Sequence, residues 1–415
     1  MCIYSILRSC LWAAVLLVLP FVEPVAQNAV VISEINYNSE PSIDAGDWVE
    51  LYNSGNNAVS IGGWVLRDVD ITHTYTLPAG TVLAPGARVV LVNDALKFAQ
   101  QHPNVPYLGT FAYSFNNTSD QVNLYDNFNS LLHSVTYIDS LPWPRGADGT
   151  GRSLELLDAT QPLNNPANWF DGCVGGSPGQ AYTPCNDAVF FAEINYNSDS
   201  LLDADDWVEL RNGTNAPIDL SGWKFYDKQD TNVFVIPTGT VLPPLGNIVL
   251  AQTANKFACI YPNTAIVGSF LFNLSGDGEL LRLYDNTNKL RFSVVYDDNP
   301  QTNWTALADG EGYTLEVLDE NGKMNEGSNW FAGCLGGSPA LPYSPSCPNQ
   351  TALVVQGNSL FCKNTVQTYS IPPLAGVSNY VWTVQGGSIV SGQGTNTVQV
   401  QWGTPGTGTI MVVGE

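Results

Sequence analysis

Charge is scarce in this chain. Only 13% of the 415 residues are Asp, Glu, Lys or Arg, about half the usual share. The polar surface must then come from Asn, Ser, Thr, Gln and Gly, which suits an extracellular β protein better than a cytosolic enzyme. Basic residues are scarcer still: 15 Lys and Arg face 38 Asp and Glu, for a net charge of −23. A chain this acidic repels phosphate backbones, which excludes nucleic acid and anionic membranes as partners. Histidine occurs only 3 times. No Cys pair has the CxxC spacing of a zinc site, so zinc is excluded as well. Long apolar runs are absent after the first two dozen residues, and no segment predicts a transmembrane span.

The N-terminus does hold one apolar stretch. Leu11 to Val22 follows Arg8 and precedes Pro24-Val25-Ala26. It is too short to cross a bilayer and has the basic, apolar and small-residue order of a signal peptide, residues 1–26, cleaved near Ala26. Export permits disulfides.

A length of 415 residues predicts several domains. Internal repeats mark where they lie. Glu34-Ile35-Asn36-Tyr37-Asn38-Ser39 recurs as Glu193-Ile194-Asn195-Tyr196-Asn197-Ser198. Asp47-Trp48-Val49-Glu50-Leu51 recurs as Asp206-Trp207-Val208-Glu209-Leu210, and Leu124-Tyr125-Asp126-Asn127 as Leu283-Tyr284-Asp285-Asn286. The offset is 159 up to Tyr296 and 161 from Trp304 onward. Each copy reads as short strands rich in β-branched and aromatic residues, separated by Gly, Pro, Asn and Asp. In the first copy these are Val30 to Tyr37, Trp48 to Tyr52, Arg88 to Val92, Gln121 to Tyr125 and Ser153 to Leu157. One helix is predicted over Asp94 to Gln101, with Asp94 as N-cap and Pro103 past its end. The pattern predicts a β-sandwich.

Ile32-Ser33-Glu34-Ile35, Trp48-Val49-Glu50-Leu51-Tyr52-Asn53, Gly63-Trp64-Val65-Leu66, Gly151-Arg152-Ser153-Leu154-Glu155-Leu156, Asn168-Trp169 and Gly176-Ser177-Pro178-Gly179 follow one another in this order. Together they resemble the lamin tail domain. The second copy keeps most of them, with Ala340 at the place of Gly179. After about Leu353, Tyr380-Val381-Trp382-Thr383-Val384, Thr397-Val398-Gln399-Val400-Gln401-Trp402 and Gly408-Thr409-Ile410-Met411-Val412-Val413 resemble a PKD-like domain. The resemblance implies an all-β chain: two tandem immunoglobulin-like β-sandwiches over 28–185 and 188–347, then a truncated third immunoglobulin-like (PKD-like) sandwich over 350–415. It also implies an interaction role without catalysis. The expected function is that of an extracellular interaction or spacer module of a secreted or cell-surface bacterial protein, an adhesion-type role with glycan or protein as partner. The alternative is the accessory region of a larger secreted hydrolase whose catalytic domain lies past Glu415.

The candidate sites divide by chemistry. Gly175-Gly176-Ser177-Pro178-Gly179 fits the G-x-S-x-G nucleophile elbow in letters. Pro178 follows the serine and no helical pattern comes next, so a turn is expected. His73, His102 and His133 align with Asn232, Tyr261 and Phe292, which excludes a histidine mechanism shared by the copies; no catalytic residues are assigned. Glu34, Asp44, Asp47 and Glu50 return as Glu193, Asp203, Asp206 and Glu209. If the first two strands pair, Glu34 and Glu50 oppose each other, and like charges across strands repel. Calcium, the one candidate cofactor, would relieve that; backbone N–H donors from the intervening loop would do so too. Trp48, Trp64, Trp169 and their partners Trp207, Trp223 and Trp330 are expected in the cores. Trp143 and Trp304, in loop-like context, are the candidates for surface aromatic contacts. Cys173 is expected to pair with Cys185, and Cys334 with Cys347, each pair bracketing a Gly-Gly-Ser-Pro turn. Cys259 is expected to be a buried, unpaired thiol. Cys362 has no evident local partner.

Overall fold

A computed structural model describes residues 29–200, 202–344, 355–358, 364–373, 379–403 and 408–414. The expected signal peptide, Cys347 and Cys362 lie outside the described residues.

The first repeat runs through β1 (Val30–Asn36), β2 (Trp48–Asn53), β3 (Val59–Ser60), β4 (Val65–Arg67), β5 (Thr74–Thr76), β6 (Val82–Leu83), β7 (Arg88–Val92), α1 (Ala95–Gln101), β8 (Tyr107–Thr110), β9 (Ser119–Tyr125), β10 (Leu131–Ile138), β11 (Leu154–Leu156) and β12 (Trp169–Asp171). Six strands form one sheet in the order β12-β11-β1-β2-β7-β8, and four form the other in the order β10-β9-β4-β5. Their inner faces share one core, which includes Ile35, Val49, Leu66, Leu124, Val135 and Leu154. The second repeat builds the same two sheets from β13 (Val189–Asn195) to β24 (Trp330–Leu335), with its own core. The third domain contributes a three-stranded and a two-stranded sheet over a small core around Trp382 and Trp402.

The local rules of the sequence are met. Asp94 accepts hydrogen bonds from the backbone N–H of Leu96 and Lys97, so α1 begins where its cap predicts. Phe98 is the buried side of this helix and packs with Trp48 in a satellite cluster. In β1 every residue is buried, which strict alternation would not allow. The reason is a register shift between Ile32 and Glu34, repeated between Phe191 and Glu193. An extra residue at this bulge lets both Ile32 and Ile35 enter the core while Glu34 is turned toward Ser177, whose backbone N–H it accepts.

Cys173 and Cys185 form a disulfide across 12 residues, a closure that stabilises by roughly 3 kcal/mol in the chain-entropy description. Cys334 is likewise disulfide-bonded. Cys259 is unpaired but exposed, not buried as expected. It lies two residues past the buried Phe257 on α2 (Ala254–Ile260), and two residues turn a helix by about 200°, to its opposite side.

The two repeats are joined by a polar and apolar junction. Arg152, 1% exposed, donates from Nη1 to the Gly172 carbonyl and from Nη2 to the Ser293 carbonyl, both at 2.7 Å. Ser293 Oγ donates back to the Thr150 carbonyl at 2.8 Å. Ile43, Val174, Tyr284 and Leu290 close an apolar cluster beside it. Arg145 pairs with Asp297, and Lys323 stands over the Phe170 ring.

Candidate functional site

The strand order places β1 between β11 and β2, and the register does the rest. Glu34 lies opposite Glu155 on one side and Glu50 on the other. Three carboxylates thus form a ladder across three neighbouring strands. The second repeat reproduces it: Glu193 lies between Glu316 and Glu209. All six side chains are buried. The expected opposition of Glu34 and Glu50 is present; Glu155 and Glu316 are members that the sequence reading did not identify.

The Gly-Gly-Ser-Pro turn closes over each ladder. The Ser177 backbone N–H donates to Glu34 Oε1 at 2.9 Å, its hydroxyl to Glu155 Oε1 at 2.5 Å, and the Gly179 N–H to Glu50 Oε2 at 2.7 Å. Ser153 Oγ adds a bond to Glu34 at 2.5 Å. In the second repeat Ser338 N–H, Ser338 Oγ and the Ala340 N–H bond Glu193, Glu316 and Glu209 in the same way, at 2.9, 2.6 and 2.5 Å. Thr314 Oγ1 takes the role of Ser153. Gly176 makes the approach possible. Its φ is +73°, and a Cβ there would meet Glu34 Oε1 at 2.5 Å and Ser153 Oγ at 2.9 Å. The serine of the G-x-S-x-G letters is therefore a hydrogen-bond donor in a turn, with its hydroxyl held by a carboxylate.

Burial dominates the electrostatics. It raises the Glu34 pKa well above the ordinary range, and the neighbouring Glu155 and Glu50 raise it further. Burial carries Glu155 to about 7. Two carboxylates this close share a proton rather than both ionise. The second ladder behaves alike: burial first, then Glu316 and Glu209, raise Glu193 well above its usual value. Burial takes Glu209 to about 8.

The four acidic positions expected to converge do not. Asp44 bonds Lys97 Nζ at 2.6 Å at the surface, and Asp203 bonds Lys256 Nζ at 3.0 Å. Asp47 accepts the Phe115 N–H at 2.7 Å, and Asp206 the Leu274 N–H at 2.7 Å. Burial lifts both carboxyls to about 7. They are loop anchors, apart from the ladder. Calcium requires six to eight oxygens. The oxygens of each ladder instead meet protein donors, and among the described residues no group of three or more His, Cys, Asp or Glu is arranged to hold a metal ion. The backbone N–H donors come from the Gly-Gly-Ser-Pro turn, not from the loop between the first two strands.

Trp143 and Trp304 are also corrected. Each is 4% exposed. Trp143 packs on Trp169 with ring centroids 6.1 Å apart, and Trp304 stacks on Trp330 at 5.9 Å. A large apolar side chain in an irregular segment still gains by closing the end of a core. Their edges border a cleft of about 770 Å3 between the repeats, together with Arg145, Lys323 and Glu326. A second cleft of about 780 Å3 in the first repeat is lined by Asp44, Asp47, His73, Asp94 and Lys97. There His73 Nδ1 lies 2.6 Å from Asp68. In the second repeat Asn232 Nδ2 donates to Asp227 at 2.7 Å, so the pair survives without an imidazole. Among the described residues no helix is long and apolar enough to cross a membrane.

These features define a class: tandem immunoglobulin-like β-sandwiches whose notable polar groups are turned inward. The chain belongs to the lamin tail domain family, whose profile matches residues 23–139 and 183–298. A PKD-like domain profile matches residues 348–415. No curated protein matches the chain. Among solved structures, a DUF4876 family protein from Bacteroides thetaiotaomicron is similar at 11% identity and a TM-score of 0.26, over 72% of this chain and 95% of that one. An exo-chitosanase of Amycolatopsis orientalis is similar at 13% identity and a TM-score of 0.16, over 65% of this chain and 26% of the other.

Proposed function

We propose that this chain is a non-catalytic extracellular interaction and spacer module of a secreted or cell-surface protein, contacting glycan or protein. The observation that carries this reading is that the turn serines and the Asp–His pair, the groups whose letters suggest chemistry, are engaged in structural hydrogen bonds. The serines of both turns are bonded to glutamates. The one Asp–His pair has an Asp–Asn counterpart that keeps the same hydrogen bond. What remains for function is shape: two sandwiches held at a fixed junction, with a cleft between them whose wall combines indole edges, amides and both signs of charge. Such a mixture suits polar ligands that also have apolar faces, as sugars do.

The test is retention without turnover. Residues 27–415 are applied to a glycan array and to extracellular protein fractions, and bound material is analysed by mass. Retention of one ligand class unchanged in mass is expected, weakened by Gln301→Ala with Lys323→Ala in the cleft. Release of a cleaved product would overturn the non-catalytic reading.

A further inference from the structure

The junction between the repeats covers a sheet edge whose equivalent in the first repeat is exposed at Leu131 and has a side-chain cap at Thr136, where Asn164 Oδ1 accepts the backbone N–H at 2.8 Å. Strand β22 (Leu290–Tyr296) is an edge of the four-stranded sheet of the second repeat, paired on its inner side with β21 (Glu279–Tyr284). The first repeat caps it. Ser42 Oγ accepts the Leu290 N–H at 2.8 Å, Arg152 donates to the Ser293 carbonyl at 2.7 Å, and the Tyr284 hydroxyl donates to Glu40 at 3.0 Å. Leu290 is left 2% exposed and Ser293 0%. In the first repeat β10 is the equivalent edge. Its Leu131, the counterpart of Leu290, is 55% exposed. Ser134, the counterpart of Ser293, is half-buried. An exposed edge with an apolar side chain is a template for pairing.

The second repeat, in turn, carries the counterpart of the capping face. Leu202 and Leu335 stand where Ile43 and Val174 stand, Asp199 where Glu40 stands, and Tyr313 where Arg152 stands. The Ser42 acceptor has no counterpart, since Leu201 stands at its place, but the other contact pairs of the junction change together. The Arg145–Asp297 ion pair maps onto Ala306 and Ile138, both apolar. Lys323 over Phe170 maps onto Pro162 and Phe331. The Glu40–Tyr284 bond maps onto Asp199 and Tyr125, a carboxylate and a phenol again. No mapped pair sets like charges against each other or strands a lone charge against an apolar group.

We propose that the second repeat of one molecule caps the β10 edge of the first repeat of another, head to tail, with the geometry of the internal junction. Tyr313 then offers its hydroxyl to the Ser134 carbonyl where Arg152 serves Ser293. This contact goes beyond the ligand-binding reading above and does not depend on it. A heterologous contact does not close on itself as a two-fold dimer does, so it extends into linear arrays. The net charge of −23 opposes such packing at low ionic strength, and salt should favour it.

Sedimentation of residues 27–415 over a concentration series tests this. Weight-average mass should rise with protein concentration, and more steeply at about 0.15 M salt than at about 0.01 M. Leu131→Asp and Tyr313→Ala should each return the chain to monomer with an unchanged thermal melt. Val82→Asp, at a residue 60% exposed on β6, should not. Direction is read by cysteine crosslinking in a Cys259→Ser, Cys362→Ser background. Leu131→Cys and Leu202→Cys proteins should crosslink when mixed and not alone. A chain monomeric at every concentration, association unchanged by Leu131→Asp, or Leu131→Cys crosslinking to itself would overturn the proposal.

Discussion

The ladders of the two repeats match at Glu34 and Glu193 and diverge at their outer glutamates. Glu50 accepts from Arg88 Nη1 at 2.7 Å and from the Ser33 hydroxyl at 2.6 Å, besides the Gly179 N–H. Glu209 faces Asn247 at 2.6 Å and the Ala340 N–H. Ala192 stands where Ser33 stands. Burial raises both carboxyls, but at Glu50 the Ser33 hydroxyl and the Arg88 cation pull back. At Glu209 the opposing contributions are the Ala340 N–H and, behind it, Arg211. The difference teaches that the fold asks for a carboxyl group at these positions and not for its charge: one repeat compensates the ion, and the other favours the acid. The same division runs through the junction, where a buried Arg152 in the first repeat becomes a half-buried Tyr313 in the second.

The largest expected effect tests that last contrast. Arg152→Ala removes three hydrogen bonds from a buried site and leaves the Gly172 and Ser293 carbonyls without this donor. It should cost about 3 kcal/mol and separate one thermal transition into two. Tyr313→Ala should leave the monomer's transitions together. Equal losses from both substitutions would show that the asymmetry between the repeats is not mechanical. Next in size is a symmetric pair. Gly176→Ala and Gly337→Ala force a Cβ to within 2.5 Å of Glu34 and Glu193, respectively, at φ values of +73° and +75°. Each should destabilise by roughly 2 to 3 kcal/mol. Differential scanning calorimetry would reveal a repeat that tolerates the change.

A smaller effect separates the ladders by pH. A carboxyl whose folded pKa is raised binds more protons in the fold than in the unfolded chain. Its stabilising contribution is therefore present at low pH and lost as pH rises through the folded value. For Glu209 that window runs from its ordinary 4.5 to about 8, and for Glu155 from 4.5 to about 7. The melting temperature should fall between about pH 5 and pH 8.5. Glu209→Gln should blunt that fall and raise the melting temperature near pH 8.5 by about 2 °C. Glu50→Gln should lower it, because Arg88 loses its ion. A melt that rises over this interval would sink the protonated-ladder account.

Much of the fold was legible because its signals are local. Trp48 to Tyr52 and Arg88 to Val92 declare themselves by β-branched and aromatic content, and Asp94 by its capping chemistry. The ladder was half legible. Glu34 and Glu50 sit on strands close in sequence, so their opposition follows from one hairpin-like pairing. Glu155 joins from a strand more than a hundred residues away, and only the sheet order brings it in. Its signal was in the repeat all the same, as Ser153-Leu154-Glu155-Leu156 against Thr314-Leu315-Glu316-Val317. Arg152 was hidden by the same method that exposed the rest. A comparison of repeats passes over a contact that exists only between them, as that of Arg152 with Ser293 does.

The smallest effect is expected at His73, and it bears on whether the first repeat holds chemistry of its own. The imidazole bonds Asp68 at 2.6 Å and stacks on Tyr113 with centroids 5.1 Å apart. The hydrogen bond to Asp68 raises its pKa. It therefore stabilises below its ordinary 6.5 and loses that contribution as pH rises through the folded value. Asn232 performs the same bond to Asp227 in the second repeat without a titrating group. His73→Asn should thus shift the melting temperature by no more than about 2 °C at neutral pH, slightly more in mild acid, and leave ligand retention intact. The substitution copies a solution that the chain already uses 159 residues later. Loss of binding or of any turnover in His73→Asn, with the melt unchanged, would mean that the imidazole does something its counterpart cannot, and the cleft around it would then be a site private to the first repeat.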